Sequence, residues 1–370
     1  MNVLVPGGAG FIGSAFARLL VRERPKWNVI IFDKLTYAGN RANLQPVEGK
    51  HAFILGDIAD APAVRMALHE HAVTAIVNFA AESHVDRSIL SGAEFIDTDV
   101  LGTYVLLTEA RAARVGRYVQ VSTDEVYGSI SEGTATEESP VRPNNPYSAS
   151  KAGGDLQVRA AFQTYRFPAM VTRGSNTYGP YQYPEKIIPL FVTNLLEGKK
   201  VPLYGDGRNR RDWLYVEDHA RGILTVLERG TPGEIYNLGS AEEYENVMLT
   251  RLILAELGKG EECIEHVPDR PGHDRRYALD SSKAYGLDWR PTVSLPQGLT
   301  QTVAWYKANR AWWEPLKSGE YLEYYRRQYH ERRSPEMAKH HSASEGRVSK
   351  GLSNSRAPHK GREERGRTEP

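Results

Sequence analysis

The first half of the chain alternates short segments rich in β-branched residues with longer segments of helical periodicity. Five short segments have the composition of buried strands, at 2–6, 28–33, 51–55, 74–80 and 117–122. Between them, apolar residues recur at steps of three and four, notably over 14–24, 61–70 and 93–114. Repeated strand–helix alternation is typical of a parallel sheet that is covered by helices on both faces. We therefore predict an α/β fold with a doubly wound parallel sheet.

The remainder of the chain differs in composition from this first half. After residue 178 the segments become short, are interrupted by proline and glycine, and contain many tyrosines, which is typical of a smaller lobe. We predict a sheet domain over 1–178, to which segments near 212–238 return, and a smaller C-terminal lobe over 179–330. From residue 334 the chain has almost no aliphatic residues, so 334–370 is predicted to be a disordered tail.

Charge and cysteine content narrow the possible classes of function. The 47 Lys and Arg residues and 46 Asp and Glu residues give a formal net charge of +1, so neither nucleic acid nor a membrane is an expected partner. The longest apolar runs have the length of a strand, and the N-terminus lacks a secretion signal. Cys263 is the only cysteine, which favours a reducing cytoplasm. We expect no metal site.

A glycine-rich segment follows the first predicted strand and opens the first predicted helix. It spans Gly7 to Gly13, and its glycines allow the backbone to approach a diphosphate at the helix N-terminus. Asp33 ends the second strand, where a carboxylate accepts hydrogen bonds from ribose hydroxyls and repels a 2′-phosphate. We therefore predict a Rossmann-type domain that binds NAD in preference to NADP. Asp57 is expected at the adenine, although an ordinary turn aspartate is a second interpretation.

Tyr147 and Lys151 lie four residues apart in a predicted helix that begins near Pro146 and runs towards Arg166. Residues with this spacing share one face of a helix. An ammonium beside a phenol is expected to lower the pKa of the phenol, so that Tyr147 can act as a base near neutral pH. Thr123, at the end of a strand, is expected to hold the reacting hydroxyl in line. These residues predict hydride transfer between a hydroxyl and a nicotinamide.

Asp124 and Glu125 follow Thr123 directly, at the carboxyl end of a predicted parallel strand. Ligands of open α/β sheets bind at this edge. Neighbouring carboxylates can divide into an acid and a base when the charge of one keeps the other protonated. A dehydrogenase that only transfers a hydride does not need such a pair, so the pair predicts elimination of water as well. A solvated loop or a helix cap is the alternative interpretation.

Longer motifs resemble the extended short-chain dehydrogenase/reductase family, and within it the dTDP-glucose 4,6-dehydratases. The resemblance covers about residues 1–330 and rests on the segments 7–14, 33–40, 78–88, 122–128, 147–151, 178–186, 204–207, 211–219 and 269–277. Two positions depart from the family pattern. Pro6 stands where threonine is usual, and Thr177 replaces an asparagine that makes one contact near the nicotinamide.

The resemblance implies that dTDP-glucose is converted to dTDP-4-keto-6-deoxyglucose in three steps. Tyr147 takes the proton of the 4-hydroxyl while NAD accepts the hydride from carbon 4. Glu125 then removes the carbon-5 proton, Asp124 protonates the departing 6-hydroxyl, and the hydride returns to carbon 6. Because NAD is regenerated in each turnover, it is expected to stay tightly bound. The resemblance also implies a homodimer, formed through the helices near 93–114 and after Tyr147.

The expected site residues fall into three sets. The catalytic set is Thr123, Asp124, Glu125, Tyr147 and Lys151. The NAD-binding set is Gly7, Gly10, Phe11, Ile12, Gly13, Asp33, Lys34, Leu35, Thr36, Asp57, Ile58, Phe79, Ala80, Ala81, Ser83, Thr98, Tyr147, Lys151 and Thr177. The substrate-binding set, in which Lys186, Arg211 and Arg270 are cations for the diphosphate, is Ser83, Thr123, Asp124, Glu125, Asn176, Lys186, Ile187, Pro202, Tyr204, Arg211, Asn246, Asp269, Arg270, His273 and Tyr277.

Two other functions compete with the dehydratase. A nucleotide-sugar 4-epimerase or decarboxylase on the same scaffold also needs NAD and the Tyr147–Lys151 pair, but it does not need two carboxylates placed for loss of the 6-hydroxyl. A catalytically silent NAD-binding scaffold is the alternative from a different class, since a fold does not dictate function. The intact Thr123, Tyr147 and Lys151 argue against that second alternative.

Overall fold

The strands of the structure agree with the five predicted for the first half of the chain. In chain order they are β1 Asn2–Pro6, β2 Asn28–Asp33, β3 Ala52–Leu55, β4 Ala75–Asn78, β5 Arg117–Thr123, β6 Ala169–Gly174, β7 Asn176–Tyr178, β8 Val201–Tyr204, β9 Arg210–Tyr215, β10 Ile235–Leu238, β11 Glu243–Glu245 and β12 Ile264–Val267. This computed structural model describes residues 1–330, and the predicted disordered tail, 334–370, lies outside the described residues.

The helices connect these strands and cover the sheet that they form. In chain order they are α1 Phe11–Glu23, α2 Ala61–Glu70, α3 Val85–Leu90, α4 Ala93–Phe95, α5 Thr103–Ala112, α6 Pro146–Tyr165, α7 Ile187–Leu196, α8 Val216–Arg229, α9 Asn246–Glu256, α10 Ser282–Tyr285, α11 Leu295–Ala308, α12 Arg310–Trp313 and α13 Glu320–Tyr325. The helix predicted over 93–114 is α4 and α5 joined by a π-helical segment, Ile96–Gly102. Over residues 1–330, no helix is both long and apolar enough to cross a bilayer.

Seven parallel strands form the central sheet in the spatial order β3-β2-β1-β4-β5-β6-β10. The run from β3 to β6 is the order of a dinucleotide-binding sheet, so the predicted Rossmann-type α/β fold is confirmed. Strand β10 and helix α8 lie within the range 212–238 that was expected to return to this domain. The chain order reverses between β1 and β4, and ligands of such sheets bind at that reversal.

Alternate residues of each strand point into separate cores on the two faces of the sheet. In β1, Val3 and Val5 pack in one core with Phe16 of α1 and Ile223 of α8. Leu4 points to the opposite face and packs with residues of α2 and α5. Because both faces are covered, the strands have no polar face, which is why they appear in the sequence as continuous apolar runs.

Two small sheets carry four of the residues that the sequence assigned to substrate, which are Asn176, Pro202, Tyr204 and Arg211. One has the order β11-β9-β7, and the other pairs β12 with β8. Contact density groups Met1–Tyr321 into one compact unit. The second unit, Leu322–Pro370, is described only to residue 330, and its described part is helical. The division into lobes at residue 178 stays a prediction.

Candidate active site

The turn between β1 and α1 requires glycine at its first position. Gly7 has a φ of +72°, and a Cβ on this residue would lie 2.5 Å from the backbone nitrogen of Ala80. The Gly7 N–H donates to the carbonyl oxygen of Phe32, at 2.9 Å. Gly10 is the N-cap of α1 and provides no side-chain cap. The N–H groups in the first turn of α1 therefore remain available to an anion such as a diphosphate.

Asp33 fixes this turn against the end of β2. Its Oδ2 accepts from the N–H of Ala9 and its Oδ1 from the N–H of Leu35, both at 2.8 Å. Burial raises the pKa of Asp33, and these two hydrogen bonds oppose that rise. Each carboxylate oxygen can accept a second hydrogen bond, so Asp33 can still bind a ribose hydroxyl. Lys34, the next residue, is paired with Asp57 at 2.6 Å.

A cavity of about 310 Å³ brings together most of the residues that the sequence predicted. The predicted residues that line it are Gly7, Gly10, Phe11, Ile12, Gly13, Asp33, Lys34, Thr36, Asp57, Ile58, Phe79, Ala80, Ala81, Ser83, Thr98, Thr123, Asp124, Glu125, Tyr147, Lys151, Asn176, Thr177, Lys186 and Ile187. The glycine turn, the acidic pair and the Tyr147–Lys151 pair therefore share one cavity. Leu35 lies outside this lining and packs against the core of the sheet.

The start of α6 positions the two residues of the predicted hydride-transfer site. The side chain of Asn145 accepts from the N–H of Ser148 at 2.9 Å, and Pro146 occupies the first turn. This capping box fixes the turn that carries Tyr147. Lys151 lies one turn further along and donates its ammonium to the carbonyl oxygen of Val121, at 2.9 Å.

The sequence predicted a lowered pKa for Tyr147, whereas the pKa of this phenol is raised in the structure. Burial raises the pKa of Tyr147 well above its usual range, and the charges of Glu125 and Asp99 act in the same direction. The hydroxyl of Thr123 opposes this rise by hydrogen bonding to the phenolate. The sequence did not reveal this because the desolvation of the phenol and the charges near it depend on the tertiary structure.

Asp124 and Glu125 lie side by side but differ in environment. Asp124 is buried, with 3 % of its surface exposed, whereas Glu125 is only half-buried. Burial, followed by the charge of Glu125, raises the pKa of Asp124 well above its usual range. This environment favours the protonated form of Asp124. Thr123 donates to Oδ1 of Asp124 at 3.2 Å and accepts from the N–H of Glu125 at 3.3 Å.

A second polar cluster lies next to Glu125, outside the lining of the cavity. The Tyr277 hydroxyl lies 2.7 Å from Oδ2 of Asp274 and 3.3 Å from Oε2 of Glu125. The Arg211 guanidinium lies 4.2 Å from the centre of the Tyr277 ring and donates to the carbonyl oxygen of Asp274 at 2.8 Å. Arg211 is buried without an ion pair to a described residue. Its charge is therefore available to an anionic ligand.

Four more predicted substrate residues, Tyr204, Asp269, Arg270 and His273, belong to the same cluster. Arg270 donates to Oδ1 of Asp86 at 2.8 Å, and the Tyr204 hydroxyl donates to Oδ2 of Asp86 at 3.0 Å. His273 lies 2.6 Å from the Asp269 carboxylate through its Nδ1. Burial and the charge of Arg270 lower the pKa of His273 to about 4, so this imidazole is neutral at physiological pH. Asp86 therefore partly neutralises the charge of Arg270, an ion pair that the sequence had not indicated.

The remaining predicted substrate residues are distributed differently. The Lys186 ammonium donates to the carbonyl oxygen of Ser83, and burial lowers the pKa of Lys186. Asn246 begins α9 and lies outside the lining of the cavity, as does Pro202 in β8. Lys186 and Ser83 therefore line the cavity, whereas Asn246 and Pro202 do not.

Sequence reasoning missed several polar residues of the cavity. These residues are Glu82, Gln182, Tyr183, Glu185, Trp213 and His219. All of them lie within the motif segments 78–88, 178–186 and 211–219, so membership of those motifs was the available signal. Two of them have altered acid–base properties, because burial and Asp99 raise the pKa of Glu82 to about 7, and burial lowers that of His219 to about 4.

The departure at Thr177 has a partner in His219. The Thr177 hydroxyl lies 2.7 Å from Nδ1 of His219, and it also donates to the carbonyl oxygen of Ser175. If the hydroxyl donates to Ser175, the neutral imidazole must carry its hydrogen on Nδ1. Thr177 therefore still takes part in a hydrogen-bond network that lines the cavity.

Comparison with known proteins places this chain among nucleotide-sugar enzymes. A family model described as GDP-mannose 4,6 dehydratase matches residues 4–302. A dTDP-glucose 4,6-dehydratase from Streptomyces niveus is 52% identical over 325 residues, which cover 86% of this chain and 96% of the relative. A dTDP-glucose 4,6-dehydratase from Escherichia coli K12 is 44% identical over 359 residues, or 89% and 99% of the two chains.

Solved structures agree with these sequence comparisons. A dTDP-glucose 4,6-dehydratase from Streptomyces venezuelae, crystallised with NAD and TYD bound, has a TM-score of 0.84 and 54% identity. The match covers 86% of this chain and 100% of that one. A UDP-glucose 4-epimerase from Thermus thermophilus, in complex with NAD, has a TM-score of 0.79 at 32% identity, over 84% of this chain and 100% of that one.

Proposed function

This chain belongs to the GDP-mannose 4,6 dehydratase family, and within that family we propose that it is a dTDP-glucose 4,6-dehydratase. The enzyme is an NAD-dependent lyase that converts dTDP-glucose to dTDP-4-keto-6-deoxyglucose. One observation supports this assignment above the others. The buried Asp124, whose pKa is raised, and the more exposed Glu125 lie in the same cavity as Tyr147. A 4-epimerase needs the tyrosine but has no use for an acid beside a base.

The residues of the cavity fit NAD. The uncapped N-terminus of α1 is suited to the diphosphate, and Asp33 is suited to the adenosine ribose. A 2′-phosphate on that ribose would need a cation near Asp33. Lys34 is the next residue in the chain, but its charge is already paired with Asp57. NADP is therefore disfavoured. When bound, NAD supplies an acceptor for the carbon-4 hydride and returns that hydride to carbon 6.

The protein residues supply the proton transfers. Tyr147 takes the proton of the 4-hydroxyl, and Thr123 holds that hydroxyl in line. Glu125 takes the carbon-5 proton, which the 4-ketone has made acidic. Asp124 donates its proton to the departing 6-hydroxyl, so that neutral water leaves. Each positioned proton transfer contributes about 10²–10⁴-fold to the rate.

The polar cluster next to Glu125 is our proposed site for the sugar nucleotide. Arg211 is buried there and the side chain of Arg270 is 15% exposed. An arginine guanidinium can bind a diphosphate through two parallel hydrogen bonds. Tyr277 connects this cluster to Glu125 through its hydroxyl. This arrangement would hold the diphosphate on one side of the carboxylates and the hexose between them and Tyr147.

Incubation of the purified protein with dTDP-glucose tests this function. The expected product loses one water in its mass spectrum and develops the absorbance of a 4-keto sugar in alkali. Protein-bound NAD should be released on denaturation in an amount close to one per chain. A product of unchanged mass with inverted carbon 4 would establish the epimerase instead, and no turnover with retained NAD would favour the silent scaffold.

We also propose that the protein forms a homodimer. Large apolar side chains are exposed on the two helices implicated by the sequence, with Tyr104 on α5 54% exposed and Leu156 and Tyr165 on α6 both 56% exposed. Exposed apolar patches of this kind mark protein interfaces. Leu156→Glu should convert a dimer to a monomer in sedimentation velocity. Met66→Glu, a matched change at an exposed residue of α2 (53%), should leave it unchanged.

Two further proposals concern the domain boundaries and the cellular location of the protein. We propose that 1–178 is the NAD-binding domain and that 179–330 is mainly the substrate-binding lobe. A cytoplasmic location is proposed because the single cysteine, Cys263, offers no internal disulfide. Limited proteolysis with and without NAD would test the domain boundary, since NAD should protect cleavage sites before residue 178 more strongly.

A further inference from the structure

Asp99 is a buried acid that the proposed reaction does not yet use. It lies in the π-helical segment Ile96–Gly102, and only 1% of its surface is exposed. Single π-helical turns inside α-helices are rare and occur frequently at functional sites. Oδ2 of Asp99 accepts from the Ser150 hydroxyl at 2.5 Å. Ser150 directly precedes Lys151, so Asp99 contacts the turn that carries the Tyr147–Lys151 pair.

Close packing fixes Asp99 against α6. A Cβ on Gly154 would lie 2.8 Å from the carbonyl oxygen of Asp99, and one on Gly153 would lie 2.8 Å from the side chain of Val100. Two consecutive glycines therefore allow the π-helical segment to approach the backbone of α6. Because neither helix can shift without losing this contact, the position of the Asp99 carboxylate relative to Tyr147 is set by the fold.

Charged groups face Asp99 from two directions. Lys151 and Asp155 face it from α6, and Glu82 faces it from the loop after β4. Burial raises the pKa of Asp99 to about 6, while Lys151 and the Ser150 hydrogen bond oppose that rise. Asp99 is therefore mainly negative at neutral pH and above. Its charge is among those that raise the pKa of Tyr147.

We propose that Asp99 is a positioning residue of the oxidation step, which holds the first turns of α6 through Ser150 and places a negative charge beside the turn that carries Tyr147 and Lys151. This inference rests on the proposed role of Tyr147. The groups that act on Tyr147 are Asp99, Glu125, Asp124 and Thr123, and Lys151 lies one helical turn further along α6. Removal of the Asp99 charge leaves the other four in place, so the remaining phenolate should form at lower pH.

The matched pair Asp99→Asn and Asp97→Asn tests this proposal. Both variants remove one carboxylate from the same π-helical segment, but Asp97 is exposed and Asp99 is buried. In the NAD-bound enzyme without substrate, the titration of Tyr147 is read by NMR of ¹³Cζ-labelled tyrosine, with Tyr147→Phe to identify the signal. Asp99→Asn should lower the midpoint by roughly one pH unit, and the acidic limb of kcat/KM should shift by the same amount. Asp97→Asn should change neither.

Unchanged midpoints in folded Asp99→Asn, or a shift to higher pH, would overturn the proposal. If Asp99→Asn does not fold, Asp99→Ser removes the same charge with a smaller side chain, and the same shift is required of it. A third variant, Ser150→Ala, keeps the charge of Asp99 and removes the hydrogen bond between Ser150 and Asp99. It should therefore lower kcat with little shift of the acidic limb of kcat/KM. The NMR titration does not depend on turnover, so failure of the proposed dehydratase activity would be seen separately.

Discussion

At the scale of single residues, adjacent side chains of one type perform different chemistry because their surroundings differ. Asp124 and Glu125 have the same functional group, yet only Asp124 is buried. The charge of Glu125 further disfavours the ionised form of Asp124. A carboxyl in this position stays protonated and can act as an acid. The more exposed Glu125 remains the base. Burial therefore assigns the two roles.

Glu125→Gln should separate the first hydride transfer from the elimination. Oxidation at carbon 4 needs Tyr147 and should persist, so the NADH absorbance of the bound cofactor should rise after mixing with dTDP-glucose. Exchange of the carbon-5 hydrogen with deuterated water should fall by about 10²–10⁴-fold, since that step loses its base. Tyr147→Phe is the opposite control and should abolish the NADH signal. Normal exchange in Glu125→Gln would reassign the base.

Gly7→Ala and Gly49→Ala form a matched pair for the glycine turn. Both glycines have a positive φ, at +72° and +75°, but a Cβ on Gly49 meets no atom within 4 Å. Gly49→Ala should therefore cost about 1 kcal/mol of unfolding free energy and leave bound NAD unchanged. Gly7→Ala also forces Ala80 away, so most of the NAD should be lost on purification. Equal NAD retention in both variants would contradict this reading of the turn.

At the scale of secondary structure elements, a buried ion pair connects the helix that carries the chemistry to the central sheet. Nε of Arg173, on β6, lies 2.9 Å from Oδ2 of Asp155, on α6, and each side chain is 4% exposed. The guanidinium also lies 4.7 Å from the centre of the Tyr127 ring. This pair fixes α6 one turn beyond Lys151. Its value is in positioning, since replacement of a whole buried pair by apolar groups is often neutral in stability.

Asp155→Ala should destabilise the protein strongly, because it leaves the Arg173 charge buried and unpaired. The expected loss is about 3–5 kcal/mol of unfolding free energy, measured by denaturant unfolding. The double variant Arg173→Met, Asp155→Leu removes both charges and should recover most of that loss. If the single and double variants were equally unstable, packing volume and not charge would explain the effect.

At the scale of the whole molecule, the sheet gathers residues that are far apart in the sequence. The glycine turn after β1, the carboxylates after β5 and the start of α6 meet at one edge because parallel strands all end there. Burial also disfavours the protonated forms of His219 and His273, whose pKa values are both lowered to about 4. Stability at acidic pH should therefore depend on these imidazoles.

His219→Gln should reduce the loss of stability on acidification. The unfolded chain binds a proton at His219 below about pH 6.5, whereas the folded protein resists protonation until about pH 4. Folding is therefore disfavoured progressively as the pH falls between these values, by up to about 3 kcal/mol for this residue. Glu82 has the opposite effect on the pH dependence of stability, because its pKa is raised to about 7. The contribution of His219 must therefore be measured as a difference between the parent protein and the His219 variant.

The measurement is the difference in unfolding free energy between the parent protein and His219→Gln at pH 7.5 and at pH 5. The advantage of the variant should grow towards pH 5. His69→Gln provides the control, since His69 is exposed on α2 and its replacement should give the same difference at both values. A difference that does not change with pH in His219→Gln would show that this imidazole is protonated more easily than its burial indicates.

The sequence by itself determined the elements and the class of chemistry. Local periodicity located five strands and the start of α6 at Pro146, because buried strands and capped helices have characteristic local patterns. Spacing also placed Tyr147 and Lys151 on one helical face, and the Asp124–Glu125 pair indicated elimination. These features depend on neighbours within a few residues, which is why the sequence was sufficient.

Tertiary structure alone decided the electrostatics of the site. It placed Asp86 against Arg270 and Asp99 against Ser150, and it surrounded Tyr147 with groups that raise the pKa of the phenol. Each of these contacts joins residues that lie about 50 or more positions apart or depends on burial. The strength of a charge depends on its distance from other charges and on the surrounding dielectric, and neither quantity can be read from a linear sequence.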